Sequence, residues 1–169
     1  MSAQQMASAV GEPSDHRRLN PEIFAMLVLG GAVLASAILG ILLRPVGNLS
    51  AFWPANAVLL GLLVRFPRLA RAGGWAAAAV AFVLADAATG SSWTKAGLLT
   101  LCNMVGAAVG YVFMARLTPK DRLLERPAAL VSVMLIVLAA STVTSVFGGL
   151  VNVLLFHGGP ARGFFIWLA

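Results

Sequence analysis

Apolar residues occur in long continuous blocks separated by short knots of charge, proline and glycine. Residues 23–43 hold 21 positions without a charged side chain, and further blocks cover 51–64, 72–91, 96–115 and 128–156. A block of about 20 apolar residues is the length of helix that crosses a hydrocarbon core of ~30 Å. A membrane β-barrel needs segments of about ten residues with alternating hydrophobicity, a pattern these continuous blocks do not have. The pattern predicts an all-α fold, a polytopic transmembrane helical bundle of five complete spans plus the start of a sixth. That sixth block opens at Phe164 and residues 164–169 are too few to finish it, so a span and any output module are expected to follow.

The breaks between blocks have physical causes. Residues 1–22 are polar and aperiodic, with Glu12, Asp15, Arg17 and Arg18, and read as a cytoplasmic tail without a fold of its own. The first block is too long for the apolar region of a cleavable signal peptide and is expected to stay as an anchor. Arg44 and Pro45 end it, because proline cannot continue the helical hydrogen-bond ladder. The second block has 14 residues and covers only ~21 Å as a helix, so it is either a thin span completed by its flanks or a re-entrant segment. Gly148 and Gly149 are expected to end or bend the fifth block, which is longer than a span requires. Residues 23–169 thus form one transmembrane domain, incomplete at its C-terminal side.

Composition agrees with the pattern. Hydrophobic residues make up 60% of the chain and charged ones 11%, a balance that soluble domains do not have. The net charge of +6 would point to nucleic acid in a soluble protein. Here the cations sit in the connections between apolar blocks, so they report orientation and no nucleic-acid partner is expected. If every block spans, nine cations (Arg17, Arg18, Arg65, Arg68, Arg71, Arg116, Lys120, Arg122, Arg126) share one side, and Arg44, Lys95 and Arg162 share the other. The positive-inside rule then puts the N-terminus in the cytoplasm. A re-entrant second block with an external N-terminus divides the cations eight to four, so the count favours the spanning arrangement only modestly.

Few residues can carry chemistry. His16 and His157 have no ligand-spaced partner, and Cys102 is the one cysteine, so neither a metal site nor an intrachain disulfide is expected, nor any cofactor. No catalytic pair can be assembled, which argues against an intramembrane enzyme. Asp86 is the one acid inside an apolar block, where an ionised carboxylate costs roughly 2.5–3.5 kcal/mol on insertion scales. It lies 15 residues after Arg71, ~22 Å along a helix and towards the outer leaflet. There it either pairs with Lys95 or Arg44 near the external surface or hydrogen-bonds the interface, or else it serves as a polar wall of a ligand cavity or a proton-sensing group. Asn56 and Asn103 are amides in apolar blocks, suited to an interhelical hydrogen bond or to ligand contact. Gly106-xxx-Gly110 permits close helix approach and leaves a homodimer open. Trp53, Trp75, Trp93 and Trp167 lie mostly near block ends, as interfacial aromatics do.

The most specific local pattern is Phe52-Trp53-Pro54-Ala55-Asn56-Ala57. Proline suits the first turn of a helix, tryptophan can anchor at the interface, and Asn56 falls in that same turn. With the following Leu59-Leu60-Gly61-Leu62-Leu63, with Asp86 in the next block and with the aromatic run from Phe164, the chain resembles the first class of membrane-associated sensor (MASE) domain over residues 23–169. Members of that family are bacterial inner-membrane modules of about eight helices at the N-terminus of diguanylate cyclases, cyclic di-GMP phosphodiesterases or sensor histidine kinases. The resemblance implies a non-enzymatic sensory input domain that works in the lipid bilayer with a cytoplasmic signalling module in cis. The competing reading is a small transporter subunit, such as an energy-coupling-factor substrate-binding component. A ligand site built from Asp86, Asn56, Trp53, Arg44 and Asn103 would serve either.

Overall fold

Asn20 starts the first helix: its side-chain oxygen accepts a hydrogen bond from the Glu22 amide at 3.0 Å, Pro21 takes the first helical position, and Glu22 sits at the positive end of the dipole. The computed structural model that shows this describes residues 20–43, 53–122, 124, 126–156, 159, 161 and 164. Among the described residues six helices follow one another: α1 (Pro21–Leu42), α2 (Pro54–Arg65), α3 (Ala72–Ala88), α4 (Trp93–Ala115), α5 (Pro119–Arg122) and α6 (Pro127–Phe156), with a 3₁₀ turn, Pro67–Ala70, between α2 and α3. No strand occurs among the described residues.

Close approaches set the direction of each helix. Met26 meets Gly73 and Ala77 meets Gly30, so α1 and α3 run the same way. Trp75 of α3 packs edge-on against Tyr111 of α4, with ring centroids 5.9 Å apart at 81°, and α4 returns antiparallel. Asn56 reaches Asn103 and Leu60 reaches Gly110, so α2 runs parallel to α4. Thr144 and Ala140 of α6 meet Gly106 and Gly110, which makes α6 antiparallel to α4. One end of the bundle therefore gathers the starts of α1, α3 and α6 and the ends of α2 and α4. Arg65, Arg68, Arg71, Arg116, Lys120, Arg122 and Arg126 all belong to this basic end, and Arg71 contacts Glu22 there at 3.4 Å. Lys95, near the start of α4, lies at the far end.

The main core joins Leu29, Val33 and Ala37 of α1, Leu59 and Leu63 of α2, Ala78, Phe82 and Ala85 of α3, and Ala107 of α4. Lipid tails are as apolar as leucine, so such contacts hold helices together by close packing more than by removal from water. The alanine run of α3 suits that requirement: the position a Gly30 side chain would take is 3.5 Å from the Ala77 carbonyl oxygen. Helix α6 packs chiefly on α4, with Val151 against Leu99 and Cys102. Its other flank turns Leu130, Met134, Leu138 and Leu154 outward.

The helical bundle agrees with the sequence pattern, whereas the number of spans differs. Among the described residues three helices, Pro21–Leu42, Trp93–Ala115 and Pro127–Leu154, are long and apolar enough to cross a membrane. The second and third expected spans are the 12-residue α2 and the 17-residue α3, ~18 and ~25 Å long. The apolar block 72–91 overstates α3 because Gly90, at φ +90°, closes it: Ser91 N donates to Asp86 O and Gly90 N to Ala87 O, at 2.9 and 3.1 Å. Gly148 and Gly149 do not end α6, which continues to Phe156; both are buried, and without side chains they fit a packed face. Residues 165–169 of the expected sixth span lie outside the described residues.

Candidate functional site

Polar side chains inside the bundle collect where α2 begins. Pro54 fills the first position of α2, as its sequence predicts, with Trp53 before it and no side chain capping the exposed amides. From this turn Asn56 Nδ2 donates to Asn103 Oδ1 across the α2–α4 interface at 3.0 Å. Asn103 is 3% exposed, so this bond forms in a dry setting. Bonds of this kind between membrane helices are worth about 0.6 kcal/mol on average.

Thr100 lies three residues before Asn103, almost one turn, and shares its face of α4. It is 6% exposed. Asn56 Oδ1 and Thr100 Oγ1 are both enclosed and have no hydrogen-bond partner among the described residues. Other hydroxyls in the bundle return to their own helix: Ser36 to Ala32 O, Thr89 to Ala85 O, Thr144 to Ala140 O and Ser145 to Ser141 O, at 2.6–2.9 Å. The two unmatched atoms are therefore a local property of the α2–α4 contact. A buried polar atom left unmatched costs about 1–3 kcal/mol, so the contact favours a group that can complete its hydrogen bonds.

Asp86 stands on α3 in the last turn before Ala88, 3% exposed. Counting 11 residues on from Trp75 and 11 back from its partner Tyr111 puts Asp86 level with Thr100 in the antiparallel α3–α4 pair. Along α4, Thr100 and Asn103 are ~10 and ~15 Å from Trp93, so the polar layer spreads from the middle of the bundle towards the far end.

The structure thus brings Asn56 and Asn103 together, with Asp86 near their level. Trp53, expected at the interface, instead borders the middle of the bundle and packs against the main core, because α2 starts halfway along α4. Trp75 and the 73%-exposed Trp93 do mark the two ends. Arg44, the fifth residue expected here, lies outside the described residues. Thr100 was not expected; its one-turn spacing from Asn103 was the available signal. The glycine pair packs within the chain: side chains at Gly106 and Gly110 would run into Thr144, and into Leu60 and Ala140. No group of three His, Cys, Asp or Glu side chains that could hold a metal occurs among the described residues.

No protein-family model, curated protein or solved structure matches the chain. Its site is read from geometry alone. A neutral amide pair, a hydroxyl and one buried acid can orient a small polar molecule or hold water.

Proposed function

We propose that the chain is a membrane-embedded sensory input domain of the membrane-associated sensor type, with its N-terminus and basic end in the cytoplasm of a bacterial cell. The observation that carries this reading is the polar layer at the α2–α4 contact, where Asn56 Oδ1 and Thr100 Oγ1 lack partners among the described residues. A cue that completes those hydrogen bonds favours one packing of α2 on α4 over another, and such a difference in free energy is what a conformational switch requires. The layer is remote from the basic end, so the signal travels along α2 and α4 to a cytoplasmic module of cyclic di-GMP turnover or phosphotransfer in cis. In this topology α1 to α4 and α6 each carry the chain across. The clustering of seven cations at one end supports that orientation. A homodimer in this reading forms through a face other than the Gly106–Gly110 surface.

A second reading, a small transporter subunit, is favoured by the half-length α2. Helices that begin inside a membrane bundle are a feature of transporter substrate sites. Two results separate the readings. The sensor reading expects the encoding frame to continue past Ala169 into a cyclase, phosphodiesterase or kinase domain, and Asp86→Asn to alter the output of that protein. A stop codon at that point, with uptake of a small solute dependent on Asn56 and Asn103, would establish the transporter instead.

A further inference from the structure

A cleft of about 410 Å³ opens at the basic end, between the start of α1 and the Pro67–Ala70 turn. It is separate from the polar layer. Arg68 and Arg71 stand on one side and Glu22 on the other, and Ala25, Met26 and Leu69 give it an apolar wall. Close packing fixes its shape. Gly74 lies against the Leu69 carbonyl with no room for a side chain, and Gly73 lies against Met26.

The cations of this end are not equivalent. Arg122 donates to the carbonyls of Leu117 and Ala115, closing the last turn of α4. Arg65 and Arg116 lie over the rings of Phe66 and Phe113, 5.4 and 5.5 Å from their centres. Arg71 has only the exposed contact to Glu22 at 3.4 Å, a weak pair in water, and Arg68 has no ion pair or hydrogen bond among the described residues. Two guanidinium groups three residues apart on a short turn thus keep donors available. Planar guanidinium forks match phosphate oxygens in pairs.

We propose that this cleft seats the phosphate of an anionic phospholipid between Arg68 and Arg71, with Glu22 as the competing internal anion. The apolar wall favours a lipid over a soluble phosphate. Ala25 and Met26 belong to the first turns of a membrane-length helix, and its neighbours Ile23 and Phe24 are exposed, so the cleft opens at the depth where headgroups meet acyl chains. Basic pockets between membrane helices on the cytoplasmic side hold acidic headgroups in this way.

The test places the protein in phosphatidylcholine nanodiscs containing a minority of phosphatidylglycerol and counts the lipids retained, by native mass spectrometry. Wild type is expected to retain phosphatidylglycerol well above its share. Arg68→Gln/Arg71→Gln is expected to lower that enrichment about tenfold, the scale of one lost charge-assisted contact. Glu22→Gln is expected to raise it, an effect that misfolding cannot imitate. Lys120→Gln/Arg126→Gln removes the same charge from the same end outside the cleft and is expected to leave the enrichment unchanged. The proposal is overturned by equal enrichment in wild type and Arg68→Gln/Arg71→Gln, or by an equal fall in the Lys120/Arg126 control. Displacement of the lipid by inorganic phosphate overturns it too, since the site is then one for a soluble anion.

Discussion

Single polar atoms decide the character of the bundle interior. Asn56 and Asn103 bind each other, yet among the described residues Asn56 Oδ1 has no partner, and Thr100 repeats that condition one turn away. A double-mutant cycle over Asn56→Leu and Asn103→Leu should give a coupling near 0.6 kcal/mol, measured by denaturant unfolding in detergent. Additive losses would mean that the two amides do not interact. Thr100→Val removes a hydroxyl that makes no bond and keeps the side chain's shape, so it should leave stability unchanged or raise it by up to about 1 kcal/mol. A marked loss of stability in that variant would show that the hydroxyl is engaged. Much of this layer was legible in the sequence, because Asn56, Asp86 and Asn103 interrupt apolar blocks where polar groups are costly. Thr100 was not, since threonine can satisfy its hydroxyl on its own helix and is common in such blocks.

Elements of this protein are bounded by turn chemistry that hydrophobicity does not report. Helix α3 stops at Ala88 although its apolar block runs on, because Gly90 adopts a left-handed conformation that residues with a Cβ reach at a cost. Gly90→Ala should therefore destabilise the bundle by about 1–2 kcal/mol, as read by thermal or chemical unfolding. The opposite error occurs in α6, where Gly148 and Gly149 read as a break from composition but are part of an uninterrupted helix. Two other glycines test the packing directly. Gly106→Ala sets a methyl group against Thr144 and should cost about 1–3 kcal/mol, whereas Gly61→Ala meets nothing within 4 Å and should be neutral or slightly stabilising. Equal behaviour of the two variants would contradict the close α4–α6 approach. The short block 51–64 is matched by its helix within the described residues, where Pro54–Arg65 is helical.

The whole molecule is an oriented bundle in which charge and polarity separate along one axis. Seven cations gather at the end where α1 begins, and the layer of Asn56, Thr100, Asn103 and Asp86 lies from the middle outward. Among the described residues three helices have the length and apolarity of membrane spans, where the sequence pattern predicted five, and α3 is shorter than its apolar block. A relay from the layer to a cytoplasmic module works only if the basic end faces the cytoplasm. Cys102 is the one native cysteine, so Cys102→Ala gives a background for reporter cysteines. Lys120→Cys marks the α5 end and Ser91→Cys the turn before α4. Labelling of intact bacterial cells with a membrane-impermeant maleimide tests the orientation directly. The account predicts that Ser91→Cys reacts in intact cells and Lys120→Cys reacts only after permeabilisation; the reverse pattern would contradict it, because the cation-rich end would then face away from any cytoplasmic output.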